Sequence, residues 1–130
     1  GADVFIGVSV GGALKPGWIG LMARDPIVFA MANPEPEISF KEARKTKIKV
    51  FGTGRSDYPN QINNVLAFPG IFRGALDSGA KKITDNMKLS AARAIAALVS
   101  GKELKKGTVI PNPLDKRVAR AVARAVAKGA

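Results

Sequence analysis

The sequence predicts an α/β fold, the second half of a doubly wound, Rossmann-like parallel sheet followed by C-terminal helices. Three apolar runs rich in β-branched residues, at 4–10, 27–31 and 48–51, each end at glycine or at Asn-Pro. Hydrophobicity in the first two runs is continuous rather than alternating, which is typical of strands buried on both faces of a parallel sheet. Helical patterns separate the runs, so the order is βαβαβ, and we expect right-handed crossovers.

The two connecting helices have recognisable start signals. Pro16 suits the first turn of a helix. Its apolar stripe is formed by Trp18, Ile19, Leu21 and Met22. Asp25-Pro26 ends that helix, and Ser39 with Glu42 three residues later forms a capping box for the next.

A long polar stretch, residues 54–70, follows the third strand and closes at Phe68-Pro69-Gly70, which we expect to form a type II turn. Loops of this length inside a compact domain are usually functional. We therefore predict one domain or a fragment of one, in which residues 1–70 hold the βαβαβ unit and a substrate loop, and residues 71–130 form a helical extension.

The helical extension is predicted to contain three helices. The first covers residues 71–76. The second begins after Thr84, carries apolar residues at helical spacing and stops at Gly101. The last covers residues 116–128 after the cap Asp115. Its two faces carry Val118, Val122 and Val126 on one side, and Arg117, Arg120, Arg124 and Lys128 on the other.

Composition excludes several kinds of chemistry. The chain has no cysteine and no histidine, so disulfides, thiolate catalysis and a Cys/His zinc site are impossible. No acidic cluster resembles a metal site, and no apolar run approaches the roughly 20 residues that a membrane helix needs. We therefore expect a cytoplasmic protein without membrane contact.

The formal net charge of +11 favours anionic partners, or else describes only a solvated basic surface. The basic last helix lacks interleaved aromatic residues, so a base-stacking platform has little support and nucleic-acid binding is disfavoured. A non-catalytic basic module that binds nucleotides or nucleic acid remains the alternative function.

Ligands of doubly wound sheets bind outside the carboxyl ends of the strands. Gly7, Gly11 and Gly12 could let a phosphate or ribose approach the first strand end closely, or belong to an ordinary strand-to-helix turn. Asn33 follows the second strand and could bind a carboxylate or carboxamide, or cap a turn. Asn63 and Asn64 in the long loop suit a hydroxy acid, or make local turn bonds.

Three cationic or acidic side chains near these positions have two interpretations. Arg55 could bind an anion, or pair with Asp57 to shape the loop. Arg73 could point into the same crevice, or lie on a solvated helix face. We expect all three to shape the loop.

Three blocks of sequence resemble the small malic enzymes of bacteria and archaea. They are DVFIGVS at 3–9, PIVFAMANP at 26–34 and GRSDYPNQINNVLAFPGIFRGAL at 54–76. Their order and spacing match, as do IPNP at 110–113 and the final helix, so the resemblance covers essentially the whole chain. One departure is Gly11, where a proline is often expected; it should leave the turn looser.

The resemblance implies oxidative decarboxylation of malate to pyruvate and CO₂ with NAD or NADP, and Mg²⁺ or Mn²⁺. It also implies a dimer. Substrate-binding positions would be Asn33, Asn63 and Asn64. Cofactor-binding positions would be Gly7, Val8, Ser9, Asn33 and Asn64. We expect no catalytic or metal-binding residue in this chain, because the family's tyrosine, lysine, acidic ligands and G-x-G-x-x-G turn would lie in an upstream half.

Overall fold

The computed structural model describes residues 1–130, and the chain divides into two compact units. The first unit, Gly1–Ile62, contains a three-stranded parallel sheet in the order β1-β2-β3. Its strands are β1 (Val4–Gly7), β2 (Ile27–Ala30) and β3 (Val50–Thr53). The predicted α/β fold with consecutive parallel strands is therefore confirmed.

The register of the sheet aligns the three strand ends in one row. Gly7 is paired with Ala30, and Ala30 is paired with Thr53. Because all three strands are parallel, their carboxyl ends share one edge of the sheet. Whatever follows each strand therefore enters the region where such sheets bind ligands.

The first strand is shorter than its apolar run, which extends to Val10. Beyond Gly7 the Ser9 amide donates to a side-chain carboxylate, that of Glu37, instead of to a neighbouring strand. Hydrophobicity alone does not report where this change of hydrogen-bond partner occurs.

Two short helices connect the strands, α1 (Pro16–Ile19) and α2 (Phe40–Ala43). The predicted capping box is confirmed: the Ser39 hydroxyl accepts from the Glu42 amide, and the Glu42 carboxylate accepts from the Ser39 amide. Helix α1 is shorter than predicted, because the amides after it reach only three residues back, which tightens the chain into a turn. The apolar core of this unit is formed by Leu14, Ile19, Val28, Ala30, Ile38 and Ala43.

The second unit, Asn63–Ala130, is helical. A short 3-10 helix (Asn64–Leu66) precedes α3 (Phe68–Asp77), α4 (Asp85–Ala96), α5 (Gly101–Lys105) and α6 (Lys116–Lys128). Helix α6 packs against both α3 and α4. The core of this unit consists of Leu66, Ala75, Met87, Ala91, Val118, Val122 and Val126.

The predicted type II turn at Phe68-Pro69-Gly70 is wrong, because these residues form the first turn of α3. Proline is favoured both in turns and at the start of a helix, where its missing N–H costs nothing. Gly70 serves packing instead: a Cβ placed on it would lie 2.5 Å from Cβ of Val122.

The predicted stop at Gly101 is also wrong. Helix α4 ends at Ala96, and Gly101 is the first residue of α5. Ser100 caps α5 through a reciprocal pair of hydrogen bonds with Glu103, a capping box that the sequence contains.

The prediction for α6 is confirmed. The Asp115 carboxylate accepts from the Arg117 amide over 2.9 Å at the start of the helix. The three valines Val118, Val122 and Val126 are buried. None of the helices in the chain has the length and apolar character required to cross a bilayer.

Candidate functional site

A buried carboxylate joins the ends of the first two strands. Glu37 is 0 % exposed. Its Oε1 accepts from the Ser9 amide over 2.8 Å and from the Ser9 hydroxyl over 3.2 Å, and its Oε2 accepts from the Ala32 amide over 3.1 Å. The chain segments that leave β1 and β2 are thus held by one side chain.

These donors keep Glu37 ionised. Burial raises the pKa of the Glu37 carboxyl, but the amides of Ser9 and Ala32 and the Ser9 hydroxyl together outweigh burial and hold the pKa below its ordinary value. Hydrogen bonds donated to a carboxylate stabilise its charged form. At neutral pH the strand ends therefore carry a fixed negative charge that is balanced by donors, and no cation pairs with it.

The glycine at the end of β1 makes room for this carboxylate. A Cβ on Gly7 would lie 2.5 Å from Cδ of Glu37, closer than any real contact. The space predicted to admit a ligand at Gly7 is therefore partly occupied by protein. Val8, next in the chain, is 79 % exposed and presents apolar surface to solvent.

The turn after β1 is held in place rather than loose. A Cβ on Gly11 would lie 2.8 Å from Cβ of Glu35, and the amide of Gly12 donates to the Pro36 carbonyl over 3.1 Å. Gly12 has φ of +71°, a conformation that other residues rarely adopt. The expectation that Gly11 would loosen this turn is therefore wrong.

Asn33 lies directly after Ala32, whose amide donates to Glu37, and is joined to Pro34 by a cis peptide bond. Its side chain is exposed and makes no hydrogen bond within the chain. A Cβ on Gly54 would lie 3.6 Å from its Oδ1, so the Asn33 carboxamide sits beside the residue that follows β3. An amide with both its donor and its acceptor free, at this edge of the sheet, is available to a ligand.

Thr53 adds a polar group that the sequence analysis did not single out. It ends β3, is 1 % exposed, and its hydroxyl has no hydrogen-bond partner. Buried polar atoms in proteins are nearly always hydrogen-bonded, so an unsatisfied hydroxyl calls for an explanation. A hydroxyl side chain at the end of an apolar strand was the available signal.

Glu37 was missed as well. The available signal was a charged residue placed directly between Pro36 and Ile38. The donors that make its burial possible come from Ser9, which is 28 residues away, and from Ala32. Sequence alone does not place these residues beside one another.

The two adjacent asparagines open the second unit and differ in their contacts. Asn63 caps the 3-10 helix, because its Oδ1 accepts from the Val65 amide over 3.0 Å, so the local turn bonding considered for it is confirmed. The Asn64 side chain is exposed and makes no hydrogen bond within the chain. Of the two, Asn64 has the amide that is fully available.

Arg55 and Arg73 each form an ion pair with an acidic residue nearby in the sequence. Arg55 binds Asp57 through two parallel hydrogen bonds of 2.9 and 3.0 Å, which raise the pKa of Arg55 and lower the pKa of Asp57. Tyr58 stacks on Phe40 at 4.3 Å between ring centroids. Arg73 pairs with Asp77 one turn along α3. These contacts confirm the loop-shaping ion pair of Arg55 and Asp57, whereas Arg73 lies on an exposed face of α3 and forms a pair within that helix.

The strand ends of the sheet unit carry three kinds of group: a free carboxamide at Asn33, an exposed apolar side chain at Val8 and a buried hydroxyl at Thr53. No group of three or more His, Cys, Asp or Glu side chains converges to hold a metal.

Comparisons with known proteins identify the family to which the chain belongs. Residues 2–130 match the family model of the malic enzyme NAD-binding domain. The chain is 64 % identical over 129 residues to a bifunctional malic/malolactic enzyme of Bacillus subtilis, covering 99 % of the chain and 32 % of that enzyme. It is 57 % identical over 130 residues to an NAD-dependent malic enzyme of Geobacillus stearothermophilus, covering 100 % of the chain and 27 % of that enzyme.

A solved structure gives the same result. The NAD-dependent malic enzyme of Thermotoga maritima matches with a TM-score of 0.89 and 50 % identity over 98 % of this chain, which is 33 % of that protein. The chain therefore spans between 27 and 33 % of the length of these three relatives. The comparisons give no support to the alternative of a nucleic-acid-binding module. The chain belongs to the malic enzyme family and forms part of its NAD-binding domain.

Proposed function

We propose that the intact protein to which this chain belongs oxidises and decarboxylates malate to pyruvate and CO₂ while reducing NAD or NADP. The chain would supply cofactor-binding and substrate-binding groups. The match to the NAD-binding domain and the names of its relatives support this proposal. The observation that carries it is the free carboxamide of Asn33 at the carboxyl end of a parallel strand.

In this proposal Asn33 binds the nicotinamide end of the cofactor and the substrate beside it. Its N–H₂ group donates to a carbonyl or carboxylate oxygen, and its Oδ1 accepts from an amide or hydroxyl. Gly7, Val8 and Ser9 would line the cofactor cleft, to which exposed Val8 would present apolar surface. When bound, the nicotinamide supplies the hydride acceptor, and the residues of this chain orient it.

Asn64 binds substrate and cofactor in the same proposal, through its uncommitted amide. Asn63 keeps only its N–H₂ group for the substrate, because its oxygen caps the 3-10 helix. Substitution of Asn64 by alanine should therefore act mainly on substrate affinity and rate. Substitution of Asn63 should in addition loosen the start of the second unit by about 1 kcal/mol.

The rest of the active site lies outside this chain in our proposal. The catalytic tyrosine and lysine and the ligands of Mg²⁺ or Mn²⁺ belong to an upstream part of the protein in this proposal, on the strength of the family resemblance. A cytoplasmic homodimer completes the proposal, on the strength of the family resemblance.

The test is a malate-dependent assay of NADH and NADPH formation with Mn²⁺, on the intact protein and three variants. Wild-type protein should turn over, and Asn33→Ala and Asn64→Ala should lower kcat/KM by roughly tenfold or more, the expected cost of a lost hydrogen bond to a charged group. Asn86→Ala is the matched control, since Asn86 lies on α4 and donates only to the Gly129 carbonyl.

Two results would count against the proposal. If the intact protein shows no turnover at saturating malate, cofactor and Mn²⁺, the proposed activity is contradicted. If none of the three substitutions changes turnover, the proposed activity stands, but the roles assigned to Asn33 and Asn64 are contradicted.

A further inference from the structure

We infer that Glu37 is a positioning residue for the cofactor site: its buried carboxylate fixes the ends of β1 and β2 relative to each other, and with them Ser9 and Asn33. The inference rests on the proposed function, because it concerns the geometry of that same site. Glu37 does not itself reach solvent, so it would act through the residues that it holds.

The side chain of Glu37 bridges two separate segments. One oxygen accepts two hydrogen bonds from Ser9, and the other accepts the amide of Ala32. Both amides lie beyond the last ladder pair of their strands, Gly7 with Ala30. Past that pair the sheet no longer specifies their separation, so the carboxylate takes over that role.

The backbone around Glu37 adds two further ties to the same turn. The Glu37 carbonyl accepts from the Leu14 amide over 2.9 Å, and the Pro36 carbonyl accepts from the Gly12 amide over 3.1 Å. Residues 36–37 therefore hold the loop after β1 on both its sides. Asn33 lies between two fixed points, Ala32 and Glu37, which restricts where its carboxamide can lie.

A carboxylate is the only side chain that fits this set of partners. Three donors converge on it, two N–H groups and one O–H group, and no cation is present. Glutamine has the same shape but only one acceptor oxygen, so its N–H₂ group would face an amide N–H. Gly7 supports the assignment, since any Cβ there would displace the carboxylate.

The first test compares Glu37→Gln with wild type in the intact protein, and uses Glu35→Gln as a matched control. Glu35 lies two residues earlier in the same loop, is exposed, and its carboxylate makes no hydrogen bond. NADH binding is followed by the fluorescence of the reduced nicotinamide, and the folded fraction by circular dichroism. We expect the Kd of NADH to rise roughly tenfold in folded Glu37→Gln, as misplacement of site residues predicts, and to stay unchanged in Glu35→Gln.

A double-mutant cycle with Ser9→Ala separates positioning from general loosening. If the Ser9 hydroxyl acts through Glu37, Ser9→Ala should weaken NADH binding in wild type but add little in Glu37→Gln. Full additivity of the two substitutions would overturn the inference. So would a Glu37→Gln protein that binds NADH normally and loses activity only in proportion to its unfolded fraction.

A replacement variant and the binding of wild type complete the test. If Glu37→Gln does not fold, Glu37→Asp replaces it in the same cycle, because it keeps the charge and withdraws the carboxylate by one methylene. If wild-type protein binds neither NADH nor NADPH, the proposed function fails and this inference fails with it. If wild type and Glu37→Gln both bind the cofactor with the same Kd, the inference fails and the proposed function stands.

Discussion

The two units of the chain differ in the kinds of side chain that they bury. The helical unit, Asn63–Ala130, has a core of apolar side chains, and two glycines of α3 let it lie directly against α6. The sheet unit, Gly1–Ile62, holds both buried polar side chains of the chain, Glu37 and Thr53, and both lie at strand ends. Burial of a charge or a hydroxyl is costly unless hydrogen bonds satisfy it. The buried polar side chains therefore distinguish the strand ends, as the candidate site, from the apolar helical unit.

The largest effect on stability should come from the core of the helical unit. Met87 is 0 % exposed at the start of α4, and Met87→Ala should lower the free energy of unfolding by about 2–5 kcal/mol through lost burial and a cavity. Leu89→Ala on the same helix is the control, because Leu89 is half exposed. Urea denaturation measures both. Equal losses would contradict the assignment of Met87 to the core.

A smaller effect should follow from filling the contact between α3 and α6. A Cβ on Gly74 would lie 2.5 Å from the Ala123 carbonyl oxygen and 2.7 Å from Cβ of Val126. Gly74→Ala should therefore destabilise by about 1–3 kcal/mol through overpacking. Gly101→Ala has nothing within 4 Å of the added Cβ, and urea denaturation should show it unchanged or slightly more stable. A neutral Gly74→Ala would mean that the helices are not in close contact.

In the sheet unit the expected effect depends on pH. The folded pKa of Glu37 lies below its ordinary value of 4.5, so its ionised form stabilises the fold above that pH, and the stabilisation is lost as pH falls through the folded pKa. Glu37→Gln should therefore lose less stability than wild type between neutral pH and about pH 4 or below. Urea denaturation across this range measures the difference. Parallel acid profiles would show that Glu37 carries no stabilising charge.

The smallest effect should come from the exposed ion pair of the loop. Arg55 and Asp57 form two hydrogen bonds, but exposed pairs contribute only about 0–1 kcal/mol. Arg55→Gln should change stability within that range and leave NADH affinity unaltered, as measured by denaturation and by nicotinamide fluorescence. A marked, salt-dependent loss of affinity would instead restore the anion-binding role for Arg55.

The general course of the fold follows from the sequence, since three short, mainly apolar runs that end at Gly or Asn-Pro predict parallel strands. Local signals with two meanings caused the errors. Pro69 fits both a turn and the first turn of a helix, and the choice depends on how Gly70 packs against Val122. Gly101 follows Ser100, and the capping box with Glu103 decides that a helix begins there.

The site is only partly predictable for a different reason. Asn33 could be chosen because it follows a strand directly, and strand ends meet at one edge. Glu37 and Thr53 could not, because their importance arises from burial and from partners far along the chain, such as Ser9. Sequence pattern reports periodicity, but it does not report which distant donors converge on one carboxylate.

The central claim is that the strand ends of the first unit bind the nicotinamide end of the cofactor through Asn33. Titration of the intact protein with NADH or NADPH, followed by nicotinamide fluorescence, tests it most directly. Wild type and Asn86→Ala should bind with the same Kd, and Asn33→Ala should bind roughly tenfold more weakly with an otherwise unchanged fold. Equal binding by wild type and Asn33→Ala would contradict the claim.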